Sequence, residues 1–222
     1  VHHETSTGML NPLSDIADIA HRHGLETYVD AVSSLAGVPV DVEDNGLTFC
    51  TSSANKAVGS VPGLAFVCGR RDAFEALAPV RAHSPYLDLY RHFSYNDRQH
   101  QTPNTPAVTL YFALEAALDE LLEEGLACRY ARIRGLAQRL RDGFAGLGLR
   151  AILPEPQMSP LLTTLELPAG FSSAEFLDRL KRAGYIVYAG KGILRDRAFQ
   201  VANIGALTMR HVEGFLVDCG WG

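Results

Sequence analysis

Short apolar runs of strand length alternate with helical segments along the first part of this chain. Apolar side chains recur with a helical period over residues 13–23, and a second helical pattern runs from residue 71 to 77. Strand-like runs lie at residues 26–30, 46–52 and 64–68. Near-continuous apolar strands that alternate with helices are typical of a mostly parallel sheet covered by helices, with ligands beyond the carboxyl ends of the strands. The sequence therefore predicts an α/β fold.

A stretch rich in proline, asparagine and threonine, residues 101–106, separates this part from a second one. The second part has helical patterns at 107–124, 127–144, 173–183 (capped by Ser172 or Ser173) and 208–218, and strand patterns at 161–167, 185–189 and 199–202. We therefore predict that residues 1–105 form part of a large domain. Residues 106–222 are expected to form a smaller α+β domain together with its connecting helix.

Composition excludes several classes of function. The 222 residues carry a formal charge of −5, and no basic run would match a nucleic-acid backbone. No apolar stretch approaches the roughly 18 residues that a membrane-spanning helix needs, and no secretory leader opens the chain, so we expect a cytoplasmic protein. The four cysteines are widely spaced and are expected to be reduced and structural. Because the chain opens on Val1 rather than Met, we also expect sequence upstream of it.

Lysine is rare in this chain, so each of the three lysines can be considered separately. Lys181 lies between two arginines on a predicted helix, which indicates a solvated face. Lys56 instead follows a predicted strand, among small hydroxyl residues and just before Gly59. At the carboxyl end of a strand it could offer its amine to a ligand, although a surface lysine is the simpler interpretation of this residue alone.

Asp30 strengthens the functional interpretation of Lys56. It ends the preceding predicted strand, 26 residues before the lysine, and is followed by small residues. A lone acid there is often a cap. An amine that can form an imine, together with a carboxylate that can keep a pyridine nitrogen protonated, is what pyridoxal chemistry requires.

Ordered motifs over nearly the whole chain carry a family resemblance. They are His3-Glu-Thr-Ser-Thr-Gly8, Asn11-Pro12, Val29-Asp-Ala-Val-Ser-Ser34, Ser53-Ala-Asn-Lys56, Val61-Pro-Gly63, Ser84 to Tyr90, Tyr188-Ala-Gly-Lys191 and Phe199 to Gly205. The chain resembles the class V pyridoxal-phosphate-dependent aminotransferases, and within them it looks closest to those that act on 2-aminoethylphosphonate and pyruvate. The resemblance implies a fold-type I large domain that is incomplete at its N-terminus, and pyridoxal 5'-phosphate as cofactor.

The resemblance also implies roles for individual residues. Lys56 would hold the cofactor as a Schiff base and then move the proton, and Asp30 would pair with the pyridine nitrogen. Thr5 would approach the phenolic oxygen of the cofactor, and Asn55 its phosphate. In the proline-rich segment, Thr102 or Thr105 would reach the phosphate of the neighbouring subunit's cofactor, which implies a homodimer. For these threonines a turn or a helix cap is the alternative.

Gln200 departs from the family pattern. The family commonly has an arginine there, which binds the substrate carboxylate through two hydrogen bonds, whereas an amide lacks that charge. Either Arg195 or Arg197 substitutes from the adjacent loop, or the oxo acid differs from pyruvate. The glycine-rich phosphate loop and the aromatic residue that stacks on the cofactor belong to the family's upstream part and are not found here.

Other functions stay open at this point. The alternatives are a serine or alanine aminotransferase that uses glyoxylate or pyruvate, and an inactive truncated fragment. A cysteine desulfurase is disfavoured because Cys128 and Cys219 fall in predicted helices. A metal site is not expected, because adjacent histidines such as His2 and His3 point to opposite faces of a strand.

Overall fold

A computed structural model describes residues 1–219 of this chain and shows an α/β architecture. Two three-stranded sheets are present in these residues, one from each half of the chain, together with a short hairpin. The helices are α1 (Leu13–Arg22), α2 (Arg71–Ala76), α3 (Leu89–Gln99), α4 (Val108–Glu124), α5 (Leu126–Gly146), α6 (Ser173–Arg182) and α7 (Met209–Cys219). The strands are β1 (His3–Glu4), β2 (Met9–Leu10), β3 (Tyr28–Asp30), β4 (Phe49–Ser53), β5 (Ala65–Gly69), β6 (Leu162–Glu166), β7 (Tyr188–Ala189) and β8 (Ala198–Ala202).

The first sheet has the order β3-β4-β5. β3 and β4 are parallel, with Asp30 opposite Thr51, and β5 is antiparallel to β4. β1 lies beside β3, since the His2 N–H donates to the Asp30 carbonyl over 2.9 Å. The parallel strands β3 and β4 therefore end at one edge of this sheet, and β1 lies beside β3.

The second sheet has the order β6-β8-β7, and all its pairings are antiparallel. Its core is built around three phenylalanines, Phe144, Phe176 and Phe199, each no more than 1% exposed. Helix α6 begins at a capping box in which Ser172 and Glu175 exchange hydrogen bonds with each other's backbone N–H, as the sequence predicts for Ser172.

The predicted division between residues 105 and 106 stays a prediction. One apolar core lies wholly in the first part of the chain, around Leu47, and the phenylalanine core lies wholly in the second. Two smaller cores join the parts, because Leu121 of α4 packs with Ala36 and Val58, and Ile133 of α5 packs with Ala57. The long helices α4 and α5 thus link the two halves.

Two elements were not predicted. Helix α3 has few apolar residues; it is stabilised by contacts with α2, in which Phe93 stacks on Phe74 at 4.9 Å and Arg71 pairs with Asp97 at 2.6 Å. The β1-β2 hairpin turns at Gly8, where φ is +82° and a Cβ atom would lie 2.8 Å from the Leu162 carbonyl oxygen. None of the described helices is both long and apolar enough to cross a membrane.

Candidate active site

Asp30 ends β3 with its side chain exposed at the carboxyl edge of the sheet. One carboxylate oxygen accepts a hydrogen bond from the Val32 N–H over 2.9 Å, which fixes the orientation of the side chain. The other oxygen has no hydrogen-bond or ion-pair partner among the described residues. Asp30 therefore has one carboxylate oxygen available to a ligand.

Lys56 lies in the turn that follows β4, at the same edge. The turn is closed by hydrogen bonds from the Ser60 N–H to the Ala54 carbonyl over 2.9 Å and from the Gly59 N–H to the Lys56 carbonyl over 3.0 Å. The Lys56 side chain is exposed, and its amine makes no ion pair or hydrogen bond in residues 1–219. Because β3 and β4 are parallel neighbours, the amine and the Asp30 carboxylate belong to the same edge of the sheet.

Thr5 follows β1 and joins this edge from the other side of β3. Its hydroxyl has no partner within the described part of the chain, while its carbonyl accepts a hydrogen bond from the Gln200 side-chain amide over 2.9 Å. The same amide donates to the Ser6 carbonyl over 3.1 Å and to the Thr164 hydroxyl over 3.1 Å. Gln200, which is 3% exposed, therefore supports the backbone around Thr5, a role that the sequence did not suggest.

His3, which opens the first family motif, is a further residue of this region, and the sequence predicted no role for it. Its side chain is buried, and Nδ1 donates to the Ser33 carbonyl over 3.1 Å, which leaves Nε2 as an acceptor without a partner in the described residues. Burial lowers the pKa of His3, and the positive charge of Lys56 lowers it further. His3 thus has a buried ring nitrogen without a partner in the described residues, and it lies close enough to Lys56 for the charge of the lysine to affect its pKa.

The remaining predicted cofactor residues make no side-chain hydrogen bond to Asp30, Lys56 or Thr5 in the described residues. Asn55 precedes Lys56 and is exposed. The Thr102 hydroxyl donates to the Asn104 carbonyl over 2.7 Å, which is a turn contact, and Thr105 is exposed. Helix α4 is capped at Ala107 without a side-chain hydrogen bond, so neither threonine is its cap. No hydrogen bond in residues 1–219 joins these two hydroxyls to Lys56.

Arg195 and Arg197 lie just before β8 and are both exposed. Neither guanidinium has a hydrogen-bond or ion-pair partner among the residues that the structure describes. Both are therefore available to an anion, although the structure does not place either against Lys56.

In the part of the chain that the structure describes, no group of three or more His, Cys, Asp or Glu side chains is arranged to hold a metal ion.

Comparison with known proteins gives a consistent result. The family model for "Aminotransferase class-V" matches residues 1–202. The chain is 41% identical to a 2-aminoethylphosphonate–pyruvate transaminase of Aeromonas hydrophila, covering 100% of this chain and 60% of that protein. A protein with the same name from Vibrio cholerae is 37% identical, covering 97% of this chain and 59% of the relative.

Solved structures confirm the predicted fold. The crystal structure of an alanine–glyoxylate aminotransferase from Nostoc superposes with a TM-score of 0.90 at 28% identity, covering 98% of this chain and 59% of that one. The chain thus spans about three fifths of the length of these relatives. By its sequence and by its fold, this chain belongs to the class V aminotransferase family.

Proposed function

We propose that the protein carrying this chain is a pyridoxal-phosphate-dependent aminotransferase. It transfers the amino group of 2-aminoethylphosphonate, or of a similar small primary amine, to pyruvate, giving phosphonoacetaldehyde and alanine. The observation that carries the proposal is the unpartnered amine of Lys56 at the same sheet edge as the free carboxylate oxygen of Asp30. The relatives named as 2-aminoethylphosphonate–pyruvate transaminases support the choice of substrates.

The residues at this edge fit pyridoxal 5'-phosphate. The cofactor supplies an electron sink when it is bound. Lys56 offers the amine that would hold it and later move a proton at the substrate carbon, and the free oxygen of Asp30 offers the charge that a pyridinium nitrogen needs. The unpartnered Thr5 hydroxyl would face the phenolic oxygen, and the exposed Asn55 amide would serve the phosphate.

We further propose that the active enzyme is a homodimer, in which Thr102 or Thr105 serves the phosphate of the neighbouring subunit's cofactor. Helix α4, which follows these threonines, supports this because it leaves Phe112 66% and Leu122 75% exposed. Large apolar side chains exposed along one helix are typical of surfaces that pack against another chain.

A second candidate is transamination of alanine or serine with glyoxylate or pyruvate. The likeness to the Nostoc alanine–glyoxylate aminotransferase favours it. Cysteine desulfuration is disfavoured because Cys128 lies within helix α5 and not in a loop that could approach a substrate.

Lysine substitutions in the complete protein test the main proposal. Lys56→Ala should abolish the attachment of pyridoxal phosphate that borohydride fixes to the chain, as well as the transfer of amine to pyruvate. Lys181→Ala is the matched control, since Lys181 lies exposed on α6, and it should behave like the wild type. Normal turnover by the Lys56→Ala protein would contradict the proposal. Rates of amine transfer from 2-aminoethylphosphonate, alanine and serine, each with pyruvate and with glyoxylate as acceptor, then separate the two candidate functions.

A further inference from the structure

Three charged side chains meet where α4 turns into α5. Gly125, with φ at +78°, is the only residue between the two helices. The turn brings Glu124 against two arginines: Arg129 Nε lies 2.6 Å from one carboxylate oxygen, and Arg132 Nε lies 2.6 Å from the other. One carboxylate therefore orients both guanidinium groups.

The two guanidinium groups extend away from the helices to different parts of the fold. Arg129 Nη1 donates to the Ala57 carbonyl over 3.2 Å and approaches the Val58 carbonyl at 3.5 Å. Arg132 Nη1 donates to the Gly205 carbonyl over 3.0 Å, in the segment that follows β8. Ala57 and Val58 come directly after Lys56, so Arg129 binds the backbone of the turn that carries the lysine.

The contacts of Arg129 with the turn are buried. Arg129 is 9% exposed, so water can replace little of what its guanidinium binds. The hydrogen bond from Arg132, and then the one from Arg129, lowers the pKa of Glu124 to about 2. The carboxylate that orients Arg129 therefore stays ionised at neutral pH.

A cavity of about 430 Å³ lies beside the turn, and Ala57, Val58, Gly59 and Arg129 are among the residues that line it. The turn thus has free space on the side that Arg129 occupies. Without the guanidinium, the backbone after Lys56 would lose its charged donor and could shift towards this space.

We propose that Arg129, oriented by Glu124, is a positioning residue that fixes the turn from which Lys56 works. The inference rests on the proposed function in so far as it concerns catalysis. Its structural part, that Arg129 fixes residues 54–60, is independent of the substrate.

Hydrogen exchange of the complete protein without cofactor tests the structural part. In Arg129→Met, amides of residues 54–60 should exchange about tenfold faster or more, since a lost charge-assisted hydrogen bond corresponds to at least that factor. Arg139→Met is the matched control: Arg139 lies on the same helix and binds Glu213 through two hydrogen bonds of 2.7 Å, away from the turn. It should leave exchange at residues 54–60 unchanged.

Kinetics of the loaded enzyme test the catalytic part. Arg129→Met should lower kcat about tenfold or more while KM for the amine changes little, because the role proposed for Arg129 is to hold the turn and not to bind the substrate. Arg129→Lys keeps the charge but lacks the planar guanidinium that binds Glu124 and Ala57 at once. Its kcat should therefore lie between those of the wild type and Arg129→Met. If Arg129→Met does not fold, Arg129→Lys replaces it in both tests, and we expect faster exchange at residues 54–60 and a lower kcat than in the wild type.

Equal exchange at residues 54–60 in the Arg129 and Arg139 variants would overturn the proposal. Faster exchange with an unchanged kcat would overturn its catalytic part. A wild-type protein that transfers no amine would count against the proposed function instead, and the exchange measurement would still decide whether Arg129 fixes the turn.

Discussion

Replacing Gln200 by methionine should destabilise the protein and weaken the support of Thr5. Methionine is also long and unbranched, so it fills much of the same space but donates no hydrogen bond. The substitution leaves the Thr5 and Ser6 carbonyls, at 2.9 and 3.1 Å from the present donor, without that partner. The Thr164 hydroxyl can rotate to another acceptor, so we attribute no loss to it.

The structure sets the size of this effect. Each buried acceptor left without a donor costs about 1–3 kcal/mol. Because Gln200 is 3% exposed, water has little access to replace the amide. Two carbonyls lose their donor, which gives about 2–6 kcal/mol, and because both contacts are only partly buried we expect Gln200→Met to lower the free energy of unfolding by the lower part of this range, about 2–4 kcal/mol.

Denaturant unfolding followed by circular dichroism measures this change, and Gln138→Met provides a matched control. Gln138 is exposed and its amide makes one hydrogen bond, to Asp142 over 3.0 Å, so the same substitution there should change the free energy of unfolding by less than about 0.5 kcal/mol. If both variants are equally stable, Gln200 does not support the Thr5 backbone and the reasoning is wrong.

Three further predictions concern the substrate, the assembly and acid stability. If Arg195 or Arg197 supplies the charge that Gln200 lacks, its replacement by alanine should raise KM for pyruvate about tenfold or more, whereas two unchanged KM values would exclude both arginines. The complete protein should sediment as a dimer even when dilute, and a fully active monomer would refute the shared site. Burial, and then the charge of His3, lowers the pKa of His2 to about 4, so stability should fall as the pH drops from 6.5 to 4, by up to about 3 kcal/mol. His2→Asn should flatten that dependence and His23→Asn, at an exposed position, should not; equal pH profiles would contradict the assignment.

Substitution of Asp30 tests the proposed pairing of its carboxylate with the pyridine nitrogen of the cofactor. Asp30→Asn should leave the cofactor bound yet slow amine transfer strongly, because a neutral pyridine is a poorer electron sink. Single-turnover absorbance measurements with 2-aminoethylphosphonate report the rate. An unchanged rate would mean that Asp30 does not face the pyridine nitrogen.

Most of the local elements and the pair of residues at the sheet edge could be predicted from the sequence. Helix α6 and its Ser172 cap were predictable because capping depends on residues close together in the chain. The positions of Asp30 and Lys56 were predictable because Asp30 ends one apolar strand, Lys56 lies in the turn after the next one, and parallel strands end at one edge. The family resemblance over the whole chain gave these positions their chemical meaning.

Features that depend on residues distant in the chain could not be predicted without the tertiary structure. Helix α3 is polar and is stabilised by α2, so its own periodicity gave no signal. The Gln200 amide binds the Thr5 and Ser6 carbonyls, more than 190 positions away in the chain, and Arg129 binds carbonyls 71 and 72 positions away. Hydrogen bonds of this kind join side chains to backbone that the fold alone brings near, and neither residue type nor spacing specifies such partners.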